Sequence, residues 1–327
     1  MVIETEARIY RDCALKEGRE YYDYNIYTIA YGDIDKYKIL DYMGKGKYSQ
    51  VFRGIDQARR LCVIKVLKPV REKKINREIM ILHRLLSAKN VVQMVDVVKD
   101  GGSNTRSLVF HYEDHKETRS LFKTFTLADI KHYSRQLLET LDHCHSQGIF
   151  HRDIKPQNLI INHPEKIIKI IDWGLAEFYL PLTRYSVGVA SMHFKAPELL
   201  VNYKTYDYAI DLWAFGCVLC EMVLRRVPMF QGSSNEDQLL KIVQVLGLSG
   251  FEAYTTKYEI ETPNIIRTHR KTVSKENIWK KFEAENNSLF PDLAEKEAFF
   301  SLIKGILVYD HQKRLTAKEC LQSPFFT

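Results

Sequence analysis

His151-Arg152-Asp153-Ile154-Lys155-Pro156-Gln157-Asn158 is the stretch of this 327-residue chain that decides its fold. Three of its side chains have complementary chemistry. The Asp153 carboxylate can accept a proton from an attacking hydroxyl, and the Lys155 ammonium can neutralise charge on a moving phosphoryl group. The Asn158 amide oxygen can bind a metal ion. Because a single short pattern can arise by chance, its weight depends on the segments around it.

Two further segments follow in the C-terminal direction. Asp172-Trp173-Gly174 comes fourteen residues after Asn158 and directly follows the apolar run 167–171. This position places a second oxygen ligand for Mg²⁺ at the end of a strand. Ala196-Pro197-Glu198 lies further on, and we expect Arg314, far downstream, to form an ion pair with its glutamate.

Two segments on the N-terminal side fit phosphate binding. The run Gly44-Lys45-Gly46-Lys47-Tyr48-Ser49-Gln50-Val51 lies between two strand-like stretches, and its glycines would let backbone amides approach phosphate oxygens. Taken alone, this run is more typical of an ordinary hairpin. Lys65 ends an apolar strand, where a lysine either extends to solvent or meets a buried anion. Glu78, on the next helical stretch, is its candidate partner.

The hydrophobic pattern changes from strand-like to helical near residue 114. Residues 36–110 indicate about five strands and one helix at 72–86, and the remainder indicates a series of helices. We therefore predict an α+β protein with an N-lobe at 36–113, a C-lobe at 114–327 and a cleft between them. A tyrosine-rich leader, residues 1–35, should dock on this core. The helices are expected at 127–148, 208–224, 235–246, 279–282, 295–308 and 317–322.

Composition excludes several classes of protein. Hydrophobic residues make up 45% and charged residues 27% of the chain, which rules out widespread disorder. The longest strongly apolar stretch, 214–224, is too short for a membrane span of about 20 residues. A net charge of +7 over this length does not imply a specific nucleic-acid partner. We expect a soluble, non-secreted protein whose six scattered cysteines are free thiols, with Cys217 and Cys220 in the core.

In their order, these segments resemble the signature set of the eukaryotic protein kinases. Several details are similar to the catalytic α subunit of casein kinase II: Trp173 within the segment 172–179, the basic segment 68–78, and Tyr309-Asp310-His311-Gln312. The resemblance implies a bilobal kinase fold whose N-lobe is an antiparallel sheet with one main helix. It also implies a serine/threonine kinase, because Lys155 lies two residues after Asp153.

The resemblance implies a site for ATP and Mg²⁺, with GTP as a second nucleotide. Lys65, paired with Glu78, would hold the α- and β-phosphates. Asp153 and Lys155 would act in phosphoryl transfer, and Asn158 and Asp172 would hold Mg²⁺. GTP use is implied because four bulky residues would narrow the slot for the base: Val63, Phe110, Ile160 and Ile171. The hinge sequence 111–115, however, differs from that of the family. The other implied nucleotide contacts are Met43, Gly44, Lys45, Gly46, Lys47, Tyr48, Ser49, Gln50, Val51, Val63, Phe110, His111, Glu113, Ile160 and Ile171.

The resemblance also implies acidic protein substrates. Acidic residues after the phosphorylated Ser or Thr would be read by the basic residues Lys73, Lys74, Arg77 and Lys195. Two departures weaken this preference, because Gly188 and Met192 stand where the family carries arginines. We therefore expect the acidic preference to persist at about the +3 position and to fade at +1.

Regulation and partners are implied in the same way. The leader would pack on the segment 172–198, with Tyr24 and Glu177 as the candidate contact, and would keep the enzyme active without phosphorylation. A dimeric regulatory subunit would bind exposed apolar residues of the N-lobe sheet, for which Ile39, Phe52 and Ile64 are candidates; a core position explains these equally well. The expected location is the cytoplasm and the nucleus.

Three other functions fit part of the sequence. A pseudokinase scaffold would lack at least one of the four residues that bind the nucleotide and metal or accept the proton. All four are present: Lys65, Asp153, Asn158 and Asp172. A polyanion binder using the segment 68–77 would show steep salt dependence and no nucleotide turnover. A small-molecule phosphotransferase would share the fold, but Ala196-Pro197-Glu198 and the stretch 232–279 favour a protein substrate.

Overall fold

Five antiparallel strands form a sheet in the N-terminal third of the chain, in the order β1-β2-β3-β5-β4. The computed structural model describes residues 2–46, 48–115, 117–225, 227–285 and 288–326, so the nucleotide-loop candidate Lys47 lies outside the described residues. The strands are β1 (Tyr37–Lys45), β2 (Ser49–Asp56), β3 (Leu61–Leu67), β4 (Met94–Lys99) and β5 (Arg106–His111). The prediction of a mixed α and β protein with a five-stranded N-lobe is confirmed.

One long helix accompanies this sheet. It is α3 (Glu72–Arg84), which follows two four-residue leader helices, α1 (Cys13–Lys16) and α2 (Arg19–Tyr22). Ile75, Ile79 and Leu82 lie on its buried face with Glu78, as the helical spacing of the apolar residues indicates. The helix therefore brings a buried carboxylate to the inner side of the sheet.

The C-terminal part is helical. Its central helices are α5 (Leu127–Ser146) and α7 (Ala209–Leu224), and α7 is apolar on every side because it lies inside the lobe. Cys217 and Cys220 are 1% and 0% exposed, so both occupy the core as expected. The remaining helices are α4 (Thr118–Phe122), α6 (Pro197–Leu200), α8 (Asn235–Leu246), α9 (Leu248–Lys257), α10 (Asn264–His269), α11 (Trp279–Ala284), α12 (Leu293–Ile306) and α13 (Ala317–Leu321).

Helix boundaries differ from the predicted ones by a few residues, and six of the thirteen helices among the described residues were not predicted: α1, α2, α4, α6, α9 and α10. Helix α5 ends at Ser146 rather than at 148, because Gly148 has a positive φ of 71° and packs against Ala14. Helices α9 and α10 lack a clear apolar repeat. Within α9 the threonines and Gly250 weaken the helical signal.

Short two-stranded ladders lie at the junction between the sheet and the helices. Strand β7 (Leu159–Asn162) pairs with β8 (Ile167–Ile170), and β6 (Ile149–Phe150) pairs with β9 (Glu177–Phe178). These ladders hold the loops that carry the chemically important motifs. No helix in the described ranges combines the length and apolar character needed to cross a bilayer.

A buried ion pair ties the Ala196-Pro197-Glu198 segment to the end of the chain. Arg314 Nη1 donates to Glu198 Oε1 at 2.7 Å and Nη2 donates to Oε2 at 3.1 Å, with both side chains fully buried. The expected pairing is therefore present. Such bidentate contacts fix two distant segments geometrically.

Candidate active site

The loop that follows β6 is held by a buried carboxylate. Asp211, at the start of α7, accepts hydrogen bonds from the backbone N–H groups of His151 and Arg152, each at 2.8 Å. Its other neighbour is His145 Nε2, at 3.1 Å. Arg152 has a positive φ of 66°, a conformation that costs free energy in a non-glycine residue. Asp211 therefore stabilises a strained turn that presents Asp153.

The Asp153 carboxylate is oriented by several donors. Lys155 Nζ donates to Oδ2 at 2.6 Å, and Ser191 donates to Oδ1 through both its backbone N–H (2.8 Å) and its hydroxyl (2.9 Å). Lys155 Nζ also lies 2.8 Å from Ser191 Oγ. A carboxylate fixed in this way is suited to accept a proton from a hydroxyl placed beside the lysine.

Asn158 and Asp172 leave oxygen atoms free for a cation. Asn158 Nδ2 donates to the backbone oxygen of Asp153 at 2.9 Å and to its Oδ2 at 3.1 Å, and no hydrogen bond to the amide oxygen of Asn158 is found within the described residues. Asp172 uses Oδ1 to accept from Lys65. The backbone N–H of Ile171 donates to the backbone oxygen of Asn158 at 2.9 Å, which brings the two segments together. One amide and one carboxylate oxygen fit the ligand preference of Mg²⁺.

Lys65 joins the sheet, the helix and the C-terminal part. Its Nζ lies 2.8 Å from Glu78 Oε1 and 2.7 Å from Asp172 Oδ1. Burial would lower the pKa of Lys65, but the charges of the two carboxylates outweigh it and raise the pKa above its ordinary value. Burial likewise raises the pKa of Asp172, and the Lys65 charge more than offsets this, so the pKa is lowered. Lys65 and Asp172 therefore remain ionised near neutral pH.

The residues expected around a nucleotide surround this centre. Val63 on β3 is paired directly with Phe110 on β5, while Ile160 lies on β7 and Ile171 follows β8. The glycine-rich run forms the β1–β2 hairpin, and the Gly46 N–H donates to the Ser49 backbone oxygen at 2.9 Å. In this run Ser49 is buried, and the other described members are half-buried or exposed: Met43, Gly44, Lys45, Gly46, Tyr48, Gln50 and Val51.

The hinge after β5 contains a contact that the sequence did not indicate. His111 is exposed, and its N–H donates to the Gln93 backbone oxygen at 3.1 Å. The Glu113 carboxylate forms an ion pair with Lys169 on β8. This pair fastens the hinge to the C-terminal part.

The four candidate substrate residues lie in different environments. Lys73 and Lys74 are exposed in the first turn of α3. Arg77 instead donates to Glu177 Oε2 at 2.7 Å and to the Gly174 backbone oxygen at 3.1 Å. Lys195 is only 8% exposed and donates to the Val187 backbone oxygen at 3.4 Å, and burial lowers its pKa. Of these four residues, Lys73 and Lys74 are therefore the two that are accessible to a carboxylate of a substrate.

Two positioning residues escaped the sequence analysis. Asp211 opens a long apolar helix in which Glu221 is the one other acid, and an acid in such a run is a signal of a buried, partnered charge. Ser191 carried no such signal, because a serine in a loop is commonplace. Its role is visible only from its contacts with Asp153 and Lys155.

Comparison with known proteins gives a consistent result. Residues 37–326 match the family described as "Protein kinase domain". The chain is 46% identical over all of its 327 residues to a "Probable casein kinase II subunit alpha homolog" of Encephalitozoon cuniculi (strain GB-M1), of which it covers 99%.

Replacing Asp153 by asparagine tests the geometry of this centre. Asp153→Asn preserves the side-chain shape but weakens proton acceptance, so kcat for phosphoryl transfer should fall by roughly 10²- to 10⁴-fold. The exposed variant Asp35→Asn serves as the matched control and should retain full activity. Phosphate transfer from labelled ATP and the thermal unfolding midpoint should be measured together. Wild-type activity in Asp153→Asn would contradict the assignment.

Proposed function

Because this chain belongs to the protein kinase family, we propose that it phosphorylates serine or threonine residues followed by acidic residues, using ATP and Mg²⁺. The observation that carries the proposal is the contact of Lys155 Nζ with both Asp153 and Ser191, opposite the contact of Lys65 with Asp172. It would supply a base and a cation from the loop that follows β6 and an anchoring lysine from β3. Transfer of labelled phosphate from ATP to serine peptides with and without downstream acidic residues tests the proposal.

The residues of the chain divide the work of transfer. Lys65, held by Glu78, would bind the phosphates of the nucleotide, and Asp153 would orient and deprotonate the attacking hydroxyl. Lys155 would stabilise negative charge near the moving phosphoryl group. When bound to Asn158 and Asp172, Mg²⁺ would supply charge neutralisation on the phosphates. Most of the rate enhancement would come from positioning and electrostatics.

Two exposed lysines support a preference for acidic substrates. Lys73 and Lys74 occupy the start of α3, and Lys74 Nζ lies 5.0 Å from the ring centroid of Tyr48 in the β1–β2 hairpin. The basic cluster is interrupted in sequence by Glu72, whose charge is matched by an ion pair with Arg106. Arg77 and Lys195 already form hydrogen bonds within the protein. We therefore assign the recognition of acidic substrate residues to Lys73 and Lys74.

Substrate preference should follow these charges. The double variant Lys73→Ala/Lys74→Ala should raise KM about tenfold for a serine peptide with its acid at +3, since two partly screened ion pairs would be lost. A peptide with its acid only at +1 should respond much less, because Gly188 and Met192 supply no charge there. Lys318→Ala, an exposed lysine on α13, is the control. Equal losses for both peptides would refute this assignment.

Several contacts support activity without phosphorylation. Trp173 is 1% exposed and its indole N–H donates to the Ile170 backbone oxygen at 3.3 Å. Arg77 joins α3 to Glu177, and no direct hydrogen bond between Tyr24 and Glu177 is recorded in the described ranges. The leader contacts the same region, because Asn76 Nδ2 donates to the Tyr24 backbone oxygen at 3.3 Å. These contacts would hold the active arrangement by themselves.

Removing the leader should therefore reduce activity. Deletion of residues 2–30 should lower kcat at least about tenfold, since the contacts that hold α3 against the segment 172–178 would be weakened. Deletion of residues 2–6 alone is the control, because it leaves residues 20–24 in place. Both proteins should be treated with phosphatase before assay. A normal rate in the longer deletion would remove this idea.

A narrow base slot supports the use of GTP beside ATP. Val63 opposite Phe110 and Ile171 beside Asp172 are bulky side chains that would restrict the slot, with Ile160 on the C-terminal side. KM values for the two nucleotides should then differ by less than about tenfold, or about 1.4 kcal/mol. A larger preference for ATP would exclude dual use.

The outer face of the N-lobe sheet supports a regulatory partner. Ile39 is 48% exposed and Phe52 is half-buried, whereas Ile64, on the same face as Phe52, is 4% exposed and belongs to a small core with Cys62, Val98 and Val109. We propose that a dimeric subunit would bind Ile39 and Phe52, a contact that Ile39→Glu should abolish in sedimentation experiments.

We also propose a location in the cytoplasm and nucleus, which the six free cysteines support.

A further inference from the structure

A cavity of about 470 Å³ lies in the C-lobe between α8, α9 and the end of α12. None of its lining residues belongs to the active site described above. Its walls combine aliphatic and aromatic side chains with three lysines at the rim.

The inner wall is apolar and is formed by ring edges. Tyr254, Trp279 and Tyr309 are 2%, 4% and 6% exposed, and the first and last stack on one another with centroids 6.4 Å apart. A Cβ at Gly250 would come within 3.2 Å of the Tyr309 ring, so glycine allows the helix to approach closely here. The exposed Ala253 leaves the cavity open. Such walls suit an aliphatic side chain.

The rim is basic. Lys257 Nζ lies 2.7 Å from Asp310 Oδ2, and Lys304 pairs with Glu283. Lys313 is exposed and makes no ion pair with the described part of the chain. The one acid among the lining residues, Asp310, also accepts hydrogen bonds from the Tyr258 hydroxyl and the Gln312 N–H. The charges of Lys257 and Lys304 are therefore matched by carboxylates, which leaves Lys313, among the three rim lysines described, to meet an anion.

A strongly basic segment adjoins this rim. Residues 264–281 carry six Lys or Arg and one Glu, a net +5 in a chain of net +7. Three backbone hydrogen bonds of 2.9–3.0 Å fix the segment beside the cavity: Leu248 N–H to Ser274, Ser249 N–H to Lys275, and Ile278 N–H to Val245. Its exposed lysines are Lys271, Lys275, Lys280 and Lys281.

We propose that this cavity and the adjoining segment 264–281 form a docking site for an acidic peptide segment of a protein substrate, anchored by one aliphatic residue. The proposal rests on the acid-directed function proposed above and extends it to a second surface. Arg267 and Arg270 of the segment pair with Glu261 and Glu252, but its four exposed lysines are spread over residues 271–281, so an extended acidic peptide would meet more of them than a small ion does. A peptide fits better than nucleic acid, because the largely covered rings offer little face for base stacking.

Docking would change the kinetics of long substrates only. Binding at a second site makes encounter with the active site intramolecular and raises the effective concentration of the phosphorylated residue. A protein substrate that carries such a segment should therefore have a lower KM than a short peptide with the same phosphorylation site. The kcat of the two should be similar.

Direct binding tests the site independently of catalysis. A fluorescent peptide of six acidic residues around one leucine, without serine or threonine, is titrated with the full chain and followed by anisotropy. Ala253→Trp should fill the cavity and Lys313→Glu should repel the acids, each weakening binding about tenfold. Thr256→Trp, exposed on the same helix, and Lys318→Glu are matched controls and should bind normally. Thermal unfolding midpoints verify that all four variants fold.

The outcomes separate this proposal from the previous one. Unchanged binding in Ala253→Trp and Lys313→Glu, with loss only in Lys73→Glu/Lys74→Glu, would overturn the docking site and leave the acid-directed activity standing. Failure of the wild type to phosphorylate short acidic peptides would instead overturn the activity, whatever the binding result. Single-stranded DNA that binds more tightly than the peptide, and is weakened by the same two variants, would also overturn the peptide assignment.

Discussion

The buried ammonium group of Lys65 joins the sheet, the helix α3 and the C-terminal part of the chain. Lys65 comes from the sheet, Glu78 from the helix beside it and Asp172 from the C-terminal part, so their contacts of 2.8 Å and 2.7 Å join three separate elements. Loss of Glu78 would be costly, because removing one partner of a buried ion pair typically costs about 3–5 kcal/mol. The mutual arrangement of the two lobes is thus coupled to the geometry of the active site.

Two further polar contacts support that arrangement from either side. Asp211 binds the backbone of the loop that presents Asp153, which lets a strained residue precede the base. Arg77 ties α3 to Glu177 and so keeps Glu78 near Lys65. The Asp211 contacts are buried and the Arg77 contact is partly buried, and in such surroundings hydrogen bonds to charged groups contribute more than at the surface. The site is therefore assembled by internal charges rather than by loops exposed to solvent.

The residues that carry the chemistry of the site were easier to predict from the sequence than the contacts that hold those residues in position. Lys65, Asp153 and Asn158 could be predicted because phosphoryl transfer needs those groups in that order, and the alternating and helical apolar patterns indicated the two lobes. The engagement of Arg77 and the burial of Lys195 and Ile64 could not, since they depend on contacts between residues far apart in sequence. Helix α9 was missed because packing, not apolar periodicity, determines it.

The most direct test of the account is to locate the metal. Crystals grown with Mn²⁺ and a non-hydrolysable ATP analogue should show anomalous scattering peaks within about 2.3 Å of the Asp172 carboxylate and the Asn158 amide oxygen. The triphosphate should lie beside these peaks, with its α- and β-phosphates at Lys65. Metal and phosphates bound elsewhere, with these side chains making no contact to either, would contradict the account.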